Sequence, residues 1–127
     1  MKCMSNKLLT LFLCLGLWGG PAFAQEKAPL VRMARIVIDS SQLEAYKAAL
    51  KEGIMTAVRA EPGVLSLYAV YEKGRPTHVT VMEVYADQTA YQAHLQTEHF
   101  KKYKRITKDM VKSLELVDVV PIGLEKK

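Results

Sequence analysis

Two β-branched runs, Val64–Glu72 (VLSLYAVYE) and residues 77–85 (THVTVMEVY), are separated only by Lys73-Gly74-Arg75-Pro76. A glycine-containing connection of that length makes a hairpin, so the two runs pair antiparallel. The hairpin fixes the middle of the fold, and both of its flanks carry helical patterns. Upstream, Leu43, Tyr46, Leu50, Ile54, Ala57 and Val58 recur at spacings of three and four, giving one apolar helix face. Ser41 with Glu44 reads as a capping box at the start of that helix, and Glu61-Pro62-Gly63 stops it. Downstream, Asp87 caps a helix to about Thr97. A further helical stretch follows Glu98-His99 and runs to about Ser113, with Tyr103, Ile106, Met110 and Leu114 as its stripe. The outer runs, residues 31–38 (VRMARIVI) and 116–124, read as strands, and Pro121 places the end of the last one at a sheet edge or beyond pairing. The order β-α-β-β-α-β is that of a ferredoxin-like α+β fold, a four-stranded antiparallel sheet with its helices on one face.

The helix-free face then needs a cover. The two hairpin strands are apolar on both sides, with Val64, Val70, Val79 and Val81 expected to oppose Leu65, Leu67, Met82 and Val84. A sheet apolar on both faces buries the second against another layer, and a second copy of the chain is the simplest one. A homodimer is therefore expected.

The N-terminus carries an address rather than a structural element. Met1-Lys2 and Lys7 precede an apolar run from Leu8 to Trp18, which Gly19-Gly20-Pro21 and Ala22-Phe23-Ala24 close. A basic start, an apolar stretch too short to span a bilayer and an A-x-A end make a signal peptide over residues 1–24. Residues 25–30 form a leader, and residues 31–127 the single domain. The mature protein is then periplasmic or secreted, with no membrane association after cleavage. Both cysteines, Cys3 and Cys14, leave with the signal, so the domain has neither disulfide nor thiolate. Losing Lys2 and Lys7 lowers the net charge from +5 to +3, too mild a balance to point to nucleic acid.

The residues able to do chemistry gather in the third strand and the helix after it. Period-two alternation places Val79, Val81, Glu83 and Tyr85 on one strand face, a carboxylate and a phenol in an apolar layer. Desolvation would raise the pKa of such a glutamate and suit it to acid–base work near neutral pH. The short turn at Asp87 folds the next helix back, so His94 and Tyr91, on one helix face, can approach Glu83 and Tyr85. A histidine bonded to a carboxylate is a proton-transfer unit. His99 ranks below His94, as a cap near the end of the first helical piece. His78, His94 and His99 share no ligand spacing on a common face, so no metal site is expected. Lys101, Lys102, Lys104, Arg105, Lys108 and Lys112 read as a solvated basic face.

Taken together, Glu61-Pro62-Gly63-Val64-Leu65, Met82-Glu83-Val84-Tyr85-Ala86-Asp87, Ala93-His94 and Glu98-His99-Phe100 resemble the antibiotic biosynthesis monooxygenase family. The resemblance spans nearly all of the mature chain. It implies a dimeric α/β barrel and an enzyme that oxidises quinols or phenols with dioxygen, using neither metal nor flavin. It also implies a substrate pocket between sheet and helices. His94 would accept the substrate proton, Glu83 would orient it, and Tyr85, Tyr91, His99 and Phe100 would bind substrate. Two other readings stay open at this point: a dimer that binds a small apolar ligand without turnover, and an isomerase using the same Glu/His pair.

Overall fold

The computed structural model describes residues 27–125 and 127. The signal peptide expected over residues 1–24 lies outside them. Strand β1 (Leu30–Ile38) is followed by a single 3-10 turn (Ser40–Gln42) and helix α1 (Leu43–Ala60). The hairpin β2 (Val64–Glu72) and β3 (Arg75–Tyr85) comes next, then α2 (Gln88–Gln96), α3 (Glu98–Thr107) and β4 (Val111–Val119). The sheet order is β2-β3-β1-β4, with every neighbouring pair antiparallel. This is the ferredoxin-like arrangement that the order of elements implies. Among the described residues, no helix is long and apolar enough to cross a membrane.

The sheet register decides which side chains meet the helices. Arg32 stands opposite Glu83, Ala34 opposite Val81, and Ile36 opposite Val79. Across β2, Leu67 faces Glu83 and Ala69 faces Val81. Val79 and Val81 therefore share the helix side with Leu67 and Ala69, a different partition from the one alternation alone implies. A bulge between Val64 and Ser66 breaks strict alternation and turns Val64 into the core beside Ala57 and Tyr85. The main core packs Ala34, Ile36, Ile38, Tyr46, Val79 and Val81. Tyr46 is fully buried, and its hydroxyl bonds that of Tyr103 at 2.8 Å, which ties α1 to α3. A phenol can enter a core only with such a partner.

Three local expectations need correction. The capping box is not formed: Asp39, not Ser41, caps the entry. Its carboxylate accepts from the Ser41 backbone N–H at 2.9 Å and from the Ser41 hydroxyl at 2.6 Å, while Glu44 pairs with Lys47. Asp39 is two residues nearer the strand and closes the turn first. Next, α3 stops at Thr107 rather than near Ser113, and β4 starts at Val111 rather than Leu116. The Met110 N–H bonds the Thr107 carbonyl, and the Asp39 N–H bonds the Met110 carbonyl, so the chain is handed to β1 at Ile38↔Val111. Leu114 and Leu116 then lie on a strand, where period two replaces the period of three and four. The third is His99, which sits in the first turn of α3 and does not cap α2.

The far side of the sheet carries Met33, Val37, Tyr68, Val70, Met82, Val84, Val117 and Val119. Tyr68 is 68% exposed, Val70 46% and Met82 44%, so this apolar face is open within one chain.

Candidate active site

A cavity of about 330 Å³ lies between the helix side of the sheet and the helices. Its walls are largely apolar: Ala34, Ile36, Leu67, Val81, Leu114 and Leu116 from the sheet, and Leu50, Ile54, Leu95 and Phe100 from the helices. Polar groups converge on it as well: Glu83, Tyr85, Tyr91, His94 and His99, with Lys104 and Lys108 on the α3 side. An apolar cavity with a few convergent polar groups is the usual form of a small-molecule site. All six residues that the sequence nominates, Glu83, Tyr85, Tyr91, His94, His99 and Phe100, line this cavity.

On the strand, the Tyr85 hydroxyl donates to Glu83 Oε2 at 2.9 Å. Burial pushes the Glu83 carboxyl above the usual carboxylate range, against the opposing effects of the Tyr85 hydrogen bond and the nearby His94 and Arg32. Burial, reinforced by the Glu83 charge, also raises the Tyr85 phenol, which stays protonated. Arg32, cross-strand from Glu83, stacks its guanidinium 4.3 Å from the Tyr91 ring centroid and ion-pairs with Asp118 at 2.7 Å.

Asp87 fixes the start of α2 by accepting from the Ala90 N–H at 2.8 Å. At its end, Thr97 joins α2 to α3: its hydroxyl donates to the His94 carbonyl at 2.7 Å and accepts from the Phe100 N–H at 3.3 Å. His94 is buried, with its ring 5.5 Å from that of Tyr85 and 4.8 Å from that of Phe100. Tyr85 also meets Tyr91 edge-on at 5.2 Å.

The carboxylate partner of His94 is not Glu83. Glu61 Oε2 lies 2.8 Å from His94 Nδ1 and 2.6 Å from His99 Nε2, bridging the two imidazoles. Glu61 is the C-cap of α1, where its extended backbone leaves the helix. Sequence reasoning passed over Glu61 as punctuation in a helix stop. A signal was nevertheless present, because an acid at a helix C-terminus opposes the macrodipole and calls for a cationic or donor partner. The expectation that His94 pairs with Glu83 is corrected accordingly: His94 touches Tyr85, while Glu83 bonds Tyr85 and acts on His94 only through space.

This geometry gives His94 two distinct nitrogens. An ionised Glu61 accepts from Nδ1–H, which leaves the lone pair on Nε2. No buried side-chain nitrogen or oxygen among the described residues lacks a partner. Nε2, which has none, is therefore not fully buried, and His94 lines the cavity.

A family model described as antibiotic biosynthesis monooxygenase matches residues 29–106, most of the chain and every element that builds the cavity except β4. A candidate antibiotic biosynthesis monooxygenase from Bacteroides thetaiotaomicron is 56% identical, with a TM-score of 0.76 over 78% of this chain and 96% of that one. A candidate monooxygenase from Lactobacillus acidophilus is 28% identical, with a TM-score of 0.71 over 72% of this chain and 44% of that longer one. A candidate antibiotic biosynthesis monooxygenase from Nitrosomonas europaea, at 20% identity and a TM-score of 0.70 over 74% of this chain and 90% of that one, shares the fold. None of the curated proteins matches the chain. With most of its length under the family model and a relative of more than half identity along nearly that relative's whole length, this chain belongs to the antibiotic biosynthesis monooxygenase family.

Proposed function

We propose that the protein is an exported, homodimeric monooxygenase that oxidises a small aromatic or quinol-type substrate with dioxygen and without a cofactor. The observation that carries this reading is the Glu61–His94 pair in the wall of a largely apolar cavity, with Nδ1 of His94 held by Glu61. Family membership supports an oxidoreductase of monooxygenase type. The basic start, the apolar run and the A-x-A end of residues 1–24 support export. The open apolar face around Tyr68, Val70 and Met82 supports a dimer packed sheet to sheet.

In the proposed reaction the apolar walls hold the ring, and Nε2 of His94 takes the phenolic proton. The phenolate is richer in electrons and passes them to dioxygen more readily. The ring C–H para to the hydroxyl becomes a second C=O, so that phenol plus O₂ gives quinone plus water. One oxygen atom enters the product, the other leaves as water, and the substrate supplies the electrons. Glu61 holds the imidazole in the accepting tautomer, a role the sequence reading gave to Glu83. Glu83, kept protonated more readily by burial, would hydrogen-bond the substrate oxygen beside Tyr85.

The test is oxygen uptake with a panel of quinols and phenols, comparing wild type with His94→Ala. A positioned base contributes roughly 10²–10⁴-fold, so His94→Ala should fall by that factor. Equal rates in the two proteins would remove His94 from this role. Ligand retention without uptake would instead make the protein a binding module, and turnover without oxygen would make it an isomerase.

A further inference from the structure

We infer that Glu61, His94 and His99 form a binding site for one divalent transition-metal ion of the zinc class. The three offer a carboxylate oxygen and two imidazole nitrogens whose ligand atoms all lie within 4.8 Å of one another. Two imidazoles and one carboxylate are a donor set for zinc, cobalt, nickel or iron, not for calcium or magnesium, which take oxygen ligands. The donors come from separate elements, the C-cap of α1, the last turn of α2 and the first turn of α3, so the fold assembles them before any ion arrives.

Burial makes the arrangement more than a chance cluster. The side chains of Glu61, His94 and His99 are only 13%, 8% and 21% exposed. Among the described residues, no lysine or arginine forms a salt bridge with Glu61; its polar partners are the two imidazoles alone. A cation held between all three donors would offset the cost of shielding that carboxylate from water. Donors about 2.0–2.2 Å from a tetrahedral ion are roughly 3.4 Å apart. The observed 2.8 and 2.6 Å separations would open by about 0.6–0.8 Å to admit an ion, with all three ligand atoms already within 4.8 Å of one another.

The surroundings are those of a held site. The His94 ring is packed by Tyr85 and Phe100, and its backbone is pinned by Thr97. Because His94 and His99 both line the cavity, a fourth position would open toward it. A metal on Nδ1 leaves the remaining proton of His94 on Nε2. The loaded site then presents a donor to the cavity where the metal-free site presents an acceptor.

The test is titration of the chelator-treated protein with Co(II), followed by its visible d–d absorption, and with Zn(II) by calorimetry. One ion per chain is expected, with intense tetrahedral-type cobalt bands that zinc displaces and excess magnesium does not. His99→Ala and Glu61→Gln should each weaken binding by about tenfold or more, whereas His78→Ala, on the opposite sheet face, should bind as wild type does. Absence of stoichiometric binding by wild type, or unchanged affinity in His99→Ala, overturns the site. The wild-type titration needs no variant, so a variant that fails to fold leaves it decisive. A protein that binds cobalt yet consumes no oxygen with any quinol keeps this site and refutes the oxidation proposed above.

Discussion

Gly63 packs tightly against Ala90 of α2, and replacing it with alanine tests how α2 is seated. A Cβ built at Gly63 would lie 2.5 Å from the Ala90 Cβ and 3.4 Å from its Cα. Ordinary carbon contacts are about 3.5–4.0 Å, so α2 would have to retreat by roughly an ångström. No glycine among the described residues has a positive φ, so alanine is permitted by the backbone and the effect is steric alone. Overpacking of this kind costs about 1–3 kcal/mol, offset by about 0.4–1 kcal/mol from the stiffer unfolded chain. The net loss for Gly63→Ala is then about 1–2 kcal/mol, or roughly 5–15 °C in Tm for a domain of this size. Ala90→Gly alone should cost about 1 kcal/mol in helix propensity. Combined, the two changes remove the collision, so the double variant should be more stable than the sum of the single effects by about 1 kcal/mol or more. Urea unfolding of the four proteins measures this. Full stability of Gly63→Ala, or strict additivity, would refute the packing argument. The same retreat of α2 would carry His94 away from Glu61, so Gly63→Ala should also weaken the oxidation and the metal binding proposed above at temperatures where it remains folded.

Two further outcomes follow from single contacts. Thr97→Ala removes the cap of α3 and the bond to the His94 carbonyl, and should lower stability by about 1 kcal/mol in urea unfolding; an unchanged midpoint would show that the joint between α2 and α3 is held elsewhere. For Glu83→Gln the expectation is a pH trend. The folded carboxyl is raised above its usual 4.5, so its stability penalty is absent below that pH, grows as the pH rises from 4.5 to the folded value, and is constant above it. Wild type should therefore lose ground to Glu83→Gln between acid and neutral pH, and a stability difference that is flat with pH would contradict this.

Strand β1, the hairpin strands and α1 were legible because each repeats one period long enough to be counted. Alternation in residues 77–85 set the helix-facing side of β3, and the Pro62-Gly63 stop set the end of α1. Counting failed where the period changed inside an apolar stretch. Met110 and Leu114 continue the three-and-four spacing of Tyr103 and Ile106, yet pairing with β1 claims everything from Val111 onward. Capping signals failed where two competed: Asp39 and Ser41 can both open the turn, and only the chain path out of β1 decides between them.

The site was half legible for a related reason. Five residues apart on a continuous helix, His94 and His99 would point about 140° away from each other, and that rules out a shared partner. The chain between them is not continuous helix. Thr97 is extended, with ψ of 148°, and ends α2 while capping α3, so the second histidine starts from a new axis. That reset delivers both rings to one oxygen of Glu61, whose own extended backbone ends α1. Two breaks in helical periodicity thus build the cluster. A reading that treats breaks as the ends of elements, and looks for chemistry only along their faces, finds His94 and assigns it the wrong carboxylate.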